Sequence, residues 1–304
     1  MKQHKKFRWK KALAITGIIL LLHSLISLVV TKIVYDSIFD RYDHTPVLYQ
    51  EHTALAQSAK TVSFPSGDNM LCGRFFDSPG DSLVVVVQGI HSNMESHYPL
   101  IQQMVEKDQR DVFIFDMTGS CNSQGDSAGG FPQAVYDLEA ALDYIDTAYD
   151  YENIFLFGHS RGAYAACCVL SRRSNIDGVV AVNGPNSAME AVIGTSAHKV
   201  GWLAYGNYPF LWLYQTMLFG AEDVAMSATQ SISESSTPVL IIQAESDETI
   251  PPDTVSIYSH REDLPNAEFL LLPGGHSTVL YETSEITANP ELINNVDRFL
   301  DNIS

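Results

Sequence analysis

The longest uninterrupted apolar stretch comes first: ALAITGIILLLHSLISLVV, residues 12–30, in which His23 is the one strongly polar side chain. Roughly 20 apolar residues cross a bilayer as a helix, so this run predicts one transmembrane span. Residues 31–58 carry scattered charges and one proline without a sustained period, and read as a juxtamembrane connector. Two short apolar runs follow, residues 61–64 and 70–76, on either side of PSGDN; this predicts an antiparallel hairpin. Beyond it, apolar runs at 82–89, 112–117, 153–158, 178–184, 238–244 and 267–274 alternate with longer helical patterns. The runs are continuous rather than alternating, which implies burial on both faces, and intervening helices imply right-handed crossovers. The predicted domain, residues 59–304, is therefore α/β: a mostly parallel, doubly wound sheet with an N-terminal antiparallel hairpin. Residues 185–236 are too long for a simple crossover and are rich in Trp and Tyr, which predicts a helical cap insertion.

Charge sets the orientation of this layout. Six of the first eleven residues are Lys or Arg, and the positive-inside rule keeps such a stub, residues 1–11, in the cytoplasm with the domain outside. A cleaved signal peptide is the alternative, but its apolar region is usually shorter and ends in a small-residue cleavage site; no A-x-A follows Val30. The expectation is a single-pass signal anchor in the cell membrane. Beyond residue 11 there are 12 Lys and Arg against 36 Asp and Glu, a net charge of −24. That surface is a poor partner for nucleic acid. Cys72, Cys121, Cys167 and Cys168 are too few and too irregularly spaced for a disulfide framework or a zinc site, with pairing of Cys72 and Cys121 left open.

The chemistry centres on a spacing that occurs twice. G-x-S-x-G appears as GDSAG around Ser127 and as GHSRG around Ser160. A nucleophile elbow needs a strand running into the serine and a helix leaving it. Ser160 has NIFLF before it and AYAACCVLSRR after it, whereas Ser127 lies between CNSQ and GGFP, both loop-like. Ser160 is thus the candidate nucleophile. A serine needs a base, and the base an orienting acid. In the order Ser, acid, His, the candidates are Asp247 in QAESDETIPP and His276 in PGGHS, each just past a predicted strand. Loops at the carboxyl ends of parallel strands open on one side of the sheet, so the three side chains can converge.

These motifs resemble the α/β-hydrolase fold family over about residues 61–303. QAESDETIPP is similar to its acid turn, PGGHS to its histidine loop, and FDMTGSCNSQGDS to a glycine-rich loop that does not catalyse. VVVVQGIHSN resembles the oxyanion strand and loop, which implies backbone N–H donors from Ile90 and Arg161; Gln88 departs from the family, which usually has histidine there. The resemblance implies a membrane-anchored serine hydrolase acting on esters, thioesters or small amides, with no cofactor and no metal. A serine aminopeptidase-like or prolyl oligopeptidase-like enzyme is one alternative, and a non-catalytic interaction protein another. The aromatic cap suggests an apolar acyl substrate, with His91, Trp202 and Trp212 as substrate-contact candidates. Oligomeric state is left open.

Overall fold

The structure is a computed structural model and describes residues 2–43, 49–282 and 286–303. Its centre is one eight-stranded sheet of order β1-β2-β4-β3-β5-β6-β7-β8. The hairpin consists of β1 (Lys60–Ser66) and β2 (Asn69–Phe76), paired antiparallel with Ser66 opposite Asn69. Gly67, at φ +55°, opens the two-residue turn between them, a conformation that favours glycine. β2 also pairs antiparallel with β4 (Asp111–Phe115). From β4 onward every pairing is parallel, through β3 (Ser82–Val87), β5 (Asn153–His159), β6 (Gly178–Val182), β7 (Val239–Ala244) and β8 (Ala267–Leu272).

The continuous apolar strands have the cause expected of them. Leu83, Val85 and Val87 of β3 point into one core and Val84 and Val86 into another, and none of the five is more than 1% exposed. Helices therefore cover both faces. The flanking elements are α1 (Lys2–Ile38), α2 (Thr53–Ser58), α3 (Tyr98–Glu106), α4 (Phe131–Ala148), α5 (Arg161–Cys168) and, at the C-terminus, α11 (Pro290–Ile303). Between β6 and β7 lie α6 (Ala188–Val200), α7 (Leu203–Gly206), α8 (Tyr208–Phe219), α9 (Ala221–Ala225) and α10 (Ala228–Glu234), which together form the helical insertion.

One difference from the sequence reading concerns the start of the folded part. α1 does not stop at Val30 but runs to Ile38, and Tyr35 (2% exposed) and Phe39 (1%) belong to the same core as β3 and α5. Arg41 then donates to the carbonyls of Cys121, Ser123 and Gly125, and Ala128 N–H donates to the Phe39 carbonyl. The first half of the expected connector is thus part of the domain. The reason is visible only in three dimensions: Tyr35, Ile38 and Phe39 fall on one side of the chain where Lys32, Asp36 and Ser37 interrupt the apolar run, too short a pattern to stand out along the sequence.

None of the four cysteines forms a disulfide among the described residues, so Cys72 and Cys121 are not joined. Burial pushes the Cys121 thiol up to about 11, helped by Asp116 and other nearby carboxylates. Both properties oppose thiolate chemistry.

Candidate functional site

The site is built where β5 ends. Ser160 has φ +56° and ψ −118°, a strained conformation for a residue with a side chain, and α5 begins at the next residue. Crowding explains the local sequence: a Cβ on Gly162 would lie 2.0 Å from the Val87 carbonyl oxygen, so helix and strand can approach only with glycine there. A Cβ on Gly89 would stand 3.2 Å from Ser160 Cβ, which lets the loop after β3 pass beside the serine.

Three loops at the carboxyl edge of the sheet meet at Ser160. His276 Nε2 lies 2.9 Å from Ser160 Oγ, and His276 Nδ1 lies 2.8 Å from Asp247 Oδ2. Asp247 is 3% exposed, and its Oδ1 accepts the N–H groups of Thr249 and Ile250, each at 2.8 Å. That pair of donors fixes which oxygen faces the histidine. The arrangement can carry a proton from Ser160 Oγ to His276 Nε2 while Asp247 keeps the other ring nitrogen protonated.

Two residues that the sequence reading did not single out hold the histidine. Asn183 Nδ2 donates to the His276 carbonyl at 2.7 Å, and its Oδ1 accepts Ala244 N–H at 2.7 Å. His159 Nε2 also lies 2.8 Å from the His276 carbonyl, and since a carbonyl only accepts, that nitrogen carries the proton. Burial, with a smaller contribution from His276, pushes His159 down to about 3, so it is neutral. His159 is therefore not a base but a positioning group. The only sequence signal for Asn183 is a polar residue at the carboxyl end of a buried parallel strand.

Arg161 is the first residue of α5, so its N–H has no helical acceptor. Ile90 follows Gly89 in the loop beside Ser160, and among the described residues neither N–H donates to a backbone carbonyl. Gln88, the departure from the family pattern, is fully buried and supports that loop: Nε2 donates to the Phe115 carbonyl at 3.1 Å and to Asp116 Oδ1 at 3.3 Å. Asp116 in turn accepts from Met94 N–H and from Asn122, so the loops after β3 and β4 are tied together.

The Arg161 side chain explains the G-x-S-x-G around Ser127. Its guanidinium, 1% exposed, donates to the Ala128 carbonyl at 3.0 Å and contacts Met117 Sδ. Burial pushes this group down to about 10, with Asp137 and Tyr35 opposing the shift. GDSAGG is thus a loop clamped between Arg161 and the end of α1, and Ser127 Oγ accepts Gly129 N–H at 3.2 Å.

The three substrate-contact candidates are elsewhere. His91 Nε2 bonds Asp40 Oδ1 at 2.8 Å and its ring lies 5.8 Å from that of Tyr42, so it ties the oxyanion loop to the end of α1. Trp202 and Trp212 are 79% and 42% exposed on the cap, and their contact with a substrate remains a proposal.

Comparison with known proteins agrees with the topology. A family model for the alpha/beta hydrolase fold matches residues 82–211. Among solved structures, an esterase of Pyrococcus furiosus superimposes with a TM-score of 0.65 at 20% identity, covering 87% of this chain and 98% of its own. Est1E of Butyrivibrio proteoclasticus, solved with ferulic acid, gives 0.62 at 16% identity over 80% of this chain and 98% of that one. A thioesterase domain from the curacin biosynthetic pathway gives 0.54 at 14% identity, covering 79% and 98%. No curated protein matches the sequence. The chain has the α/β-hydrolase fold, with Ser160 at its strand-to-helix elbow.

Proposed function

We propose that the chain is a membrane-tethered serine hydrolase that cleaves carboxylic ester bonds, and by the same chemistry thioesters or small amides. The observation that carries this is the continuous relay Ser160 Oγ, His276 Nε2, His276 Nδ1, Asp247 Oδ2, with links of 2.9 and 2.8 Å at a strained elbow. Ser160 Oγ attacks the carbonyl carbon as its proton passes to His276. The tetrahedral oxyanion accepts from Ile90 and Arg161 N–H, where removing one such donor costs about 3 kcal/mol of transition-state stabilisation. His276 then protonates the leaving group, and water, deprotonated by the same ring, releases the acid and restores Ser160. The esterase and thioesterase neighbours make this the natural substrate class; no observation favours the aminopeptidase alternative. α1 is the tether, since Trp9–Ile38 form 30 helical residues whose most apolar 18-residue stretch has a mean hydropathy of 2.5 and is only 6% buried.

The test is fluorophosphonate labelling of the full chain in detergent, because Tyr35 and Phe39 are core residues that a fragment beginning near residue 45 would lack. An adduct on Ser160, lost in Ser160→Ala and kept in Ser127→Ala, is the expected result. An adduct on Ser127 would overturn the assignment, and none on folded protein would favour the interaction-protein reading.

A further inference from the structure

Between α1 and the cap lies an apolar crevice of about 450 Å³ that contains none of the relay residues and none of the oxyanion loop. Val30, Val34, Val192, Ile193, Leu203 and Leu211 supply much of its wall. Its polar members are largely occupied: Thr31 Oγ1 donates to the Ser27 carbonyl and accepts from Asn207 Nδ2, bonding α1 to the residue before α8. The His23 ring sits edge-on to Phe210 at 6.1 Å. The Ser27, Ser196 and Tyr35 hydroxyls are the other polar groups in a wall that is otherwise mostly hydrocarbon.

The position of the crevice along α1 identifies the occupant. It runs from His23 to Tyr35, about 18 Å of helix at 1.5 Å per residue, close to one leaflet of a hydrocarbon layer roughly 30 Å thick. With the apolar run 12–30 centred in that layer, His23 lies near the midplane and Lys32 and Asp36 near the outer surface. The surfaces on both sides are apolar and exposed. On α1 they include Leu22 (53%), Ile26 (63%) and Ile33 (63%); on the cap, Trp202 (79%), Leu203 (60%) and Met217 (74%). A patch of this kind in water would be an aggregation liability, but beside a membrane span it continues the lipid-facing surface. α1 packs on α6 and α8, so a bilayer surrounding α1 at this depth meets the cap.

The geometry points to a lipid-binding site: the crevice takes an acyl chain of an outer-leaflet lipid, entering sideways from the bilayer in which α7 and α8 are immersed. It rests on the reading of α1 as a retained membrane span, and not on the chemistry at Ser160. A chain lying along α1 follows the membrane normal as lipid tails do, and replaces water in a cavity whose walls offer it few hydrogen bonds.

The experiment uses the full chain in phosphatidylcholine vesicles carrying a trace of phosphatidylcholine with a diazirine on its acyl tail, irradiated and mapped by peptide mass. Adducts are expected on Val192, Ile193 or Leu211, inside the crevice, as well as on exposed positions of α1 such as Ile18. Filling the crevice by Ala204→Phe or, independently, Ser196→Leu lowers the inner adducts at least fivefold and leaves those on Ile18 unchanged; thermal melting shows which variant is folded. Adducts confined to α1, or only to exposed cap residues such as Met217, overturn the site while leaving the span intact. So do inner adducts undiminished in a folded, filled variant. Alkaline carbonate extraction of the wild type separates the other failure: a chain released from the vesicles has no span, and the lipid site falls with it.

Discussion

At the scale of the residue, the decisive feature is how Asp247 divides its two oxygens. Oδ1 is fixed by the Thr249 and Ile250 N–H groups and Oδ2 faces His276 Nδ1. In Asp247→Asn the amide oxygen stays with the two N–H donors and the NH2 group turns to the histidine. His276 must then accept at Nδ1 and carry its proton on Nε2, the tautomer that cannot take a proton from Ser160. Ester hydrolysis by the detergent-solubilised chain is expected to fall by roughly three to four orders of magnitude in kcat with the fold retained. Histidines also set the acid stability. Burial lowers His97 to about 4 and His159 to about 3 from an ordinary 6.5. An unfolded chain takes up these protons first, so their contribution is complete above pH 6.5 and is lost as pH falls toward 4 and 3. Asp297 acts in the opposite sense: burial and the neighbouring Asp108 raise it to about 7, so its protonated form favours the folded state and that contribution is lost as pH rises through 7. Thermal midpoints measured from pH 6.5 to 4 should fall, and His97→Gln should flatten the fall.

At the scale of the element, the elbow and the end of α1 carry the argument. The elbow is a crowded crossing of β3, β5 and α5 in which Gly162 cannot be enlarged. The end of α1 is a second such point: Phe39 is 1% exposed and stacks edge-on against Phe131 at 5.9 Å. Phe39→Ala is expected to cost about 3–5 kcal/mol, read as a lowered thermal midpoint of the full chain in detergent. An unchanged midpoint would mean that α1 and the domain are independent. The residues just after α1 bond the oxyanion loop through Asp40 and His91, and the GDSAGG loop through Arg41, so the end of α1 is tied to the carboxyl edge of the sheet.

At the scale of the whole molecule, charge is divided sharply: six basic residues precede the apolar run and the rest of the chain carries a net charge of −24. Anionic headgroups repel such a surface, so the proposed contact of the cap with a membrane is apolar. For the proposed span, the positive-inside rule predicts an external domain. Protease added outside intact cells is expected to digest the domain and leave a fragment containing α1, whereas replacing the stub's Lys and Arg by Gln should yield a mixed population. A fully protected domain in the wild type would place the site in the cytoplasm.

The sequence alone carried the layout and the chemistry. Strand runs, the hairpin, the order of the candidates Ser160, Asp247 and His276 and the loop-like setting of GDSAGG are local features: continuous apolar runs mark strands buried on both faces, and an elbow is defined by what directly precedes and follows its serine; that the hairpin turn is two residues long came from the strand register. Only the tertiary structure decided the rest. That Asn183 and His159 hold the His276 carbonyl depends on side chains from two strands meeting a loop about a hundred residues away. That residues such as Tyr35 and Phe39 belong to the core, that His91 bonds Asp40, and that Trp202 and Trp212 are exposed depends on where α1 lies against α6, α8 and the loops after β3 and β4. Periodicity reports which side of an element is apolar; it does not report what that side will touch.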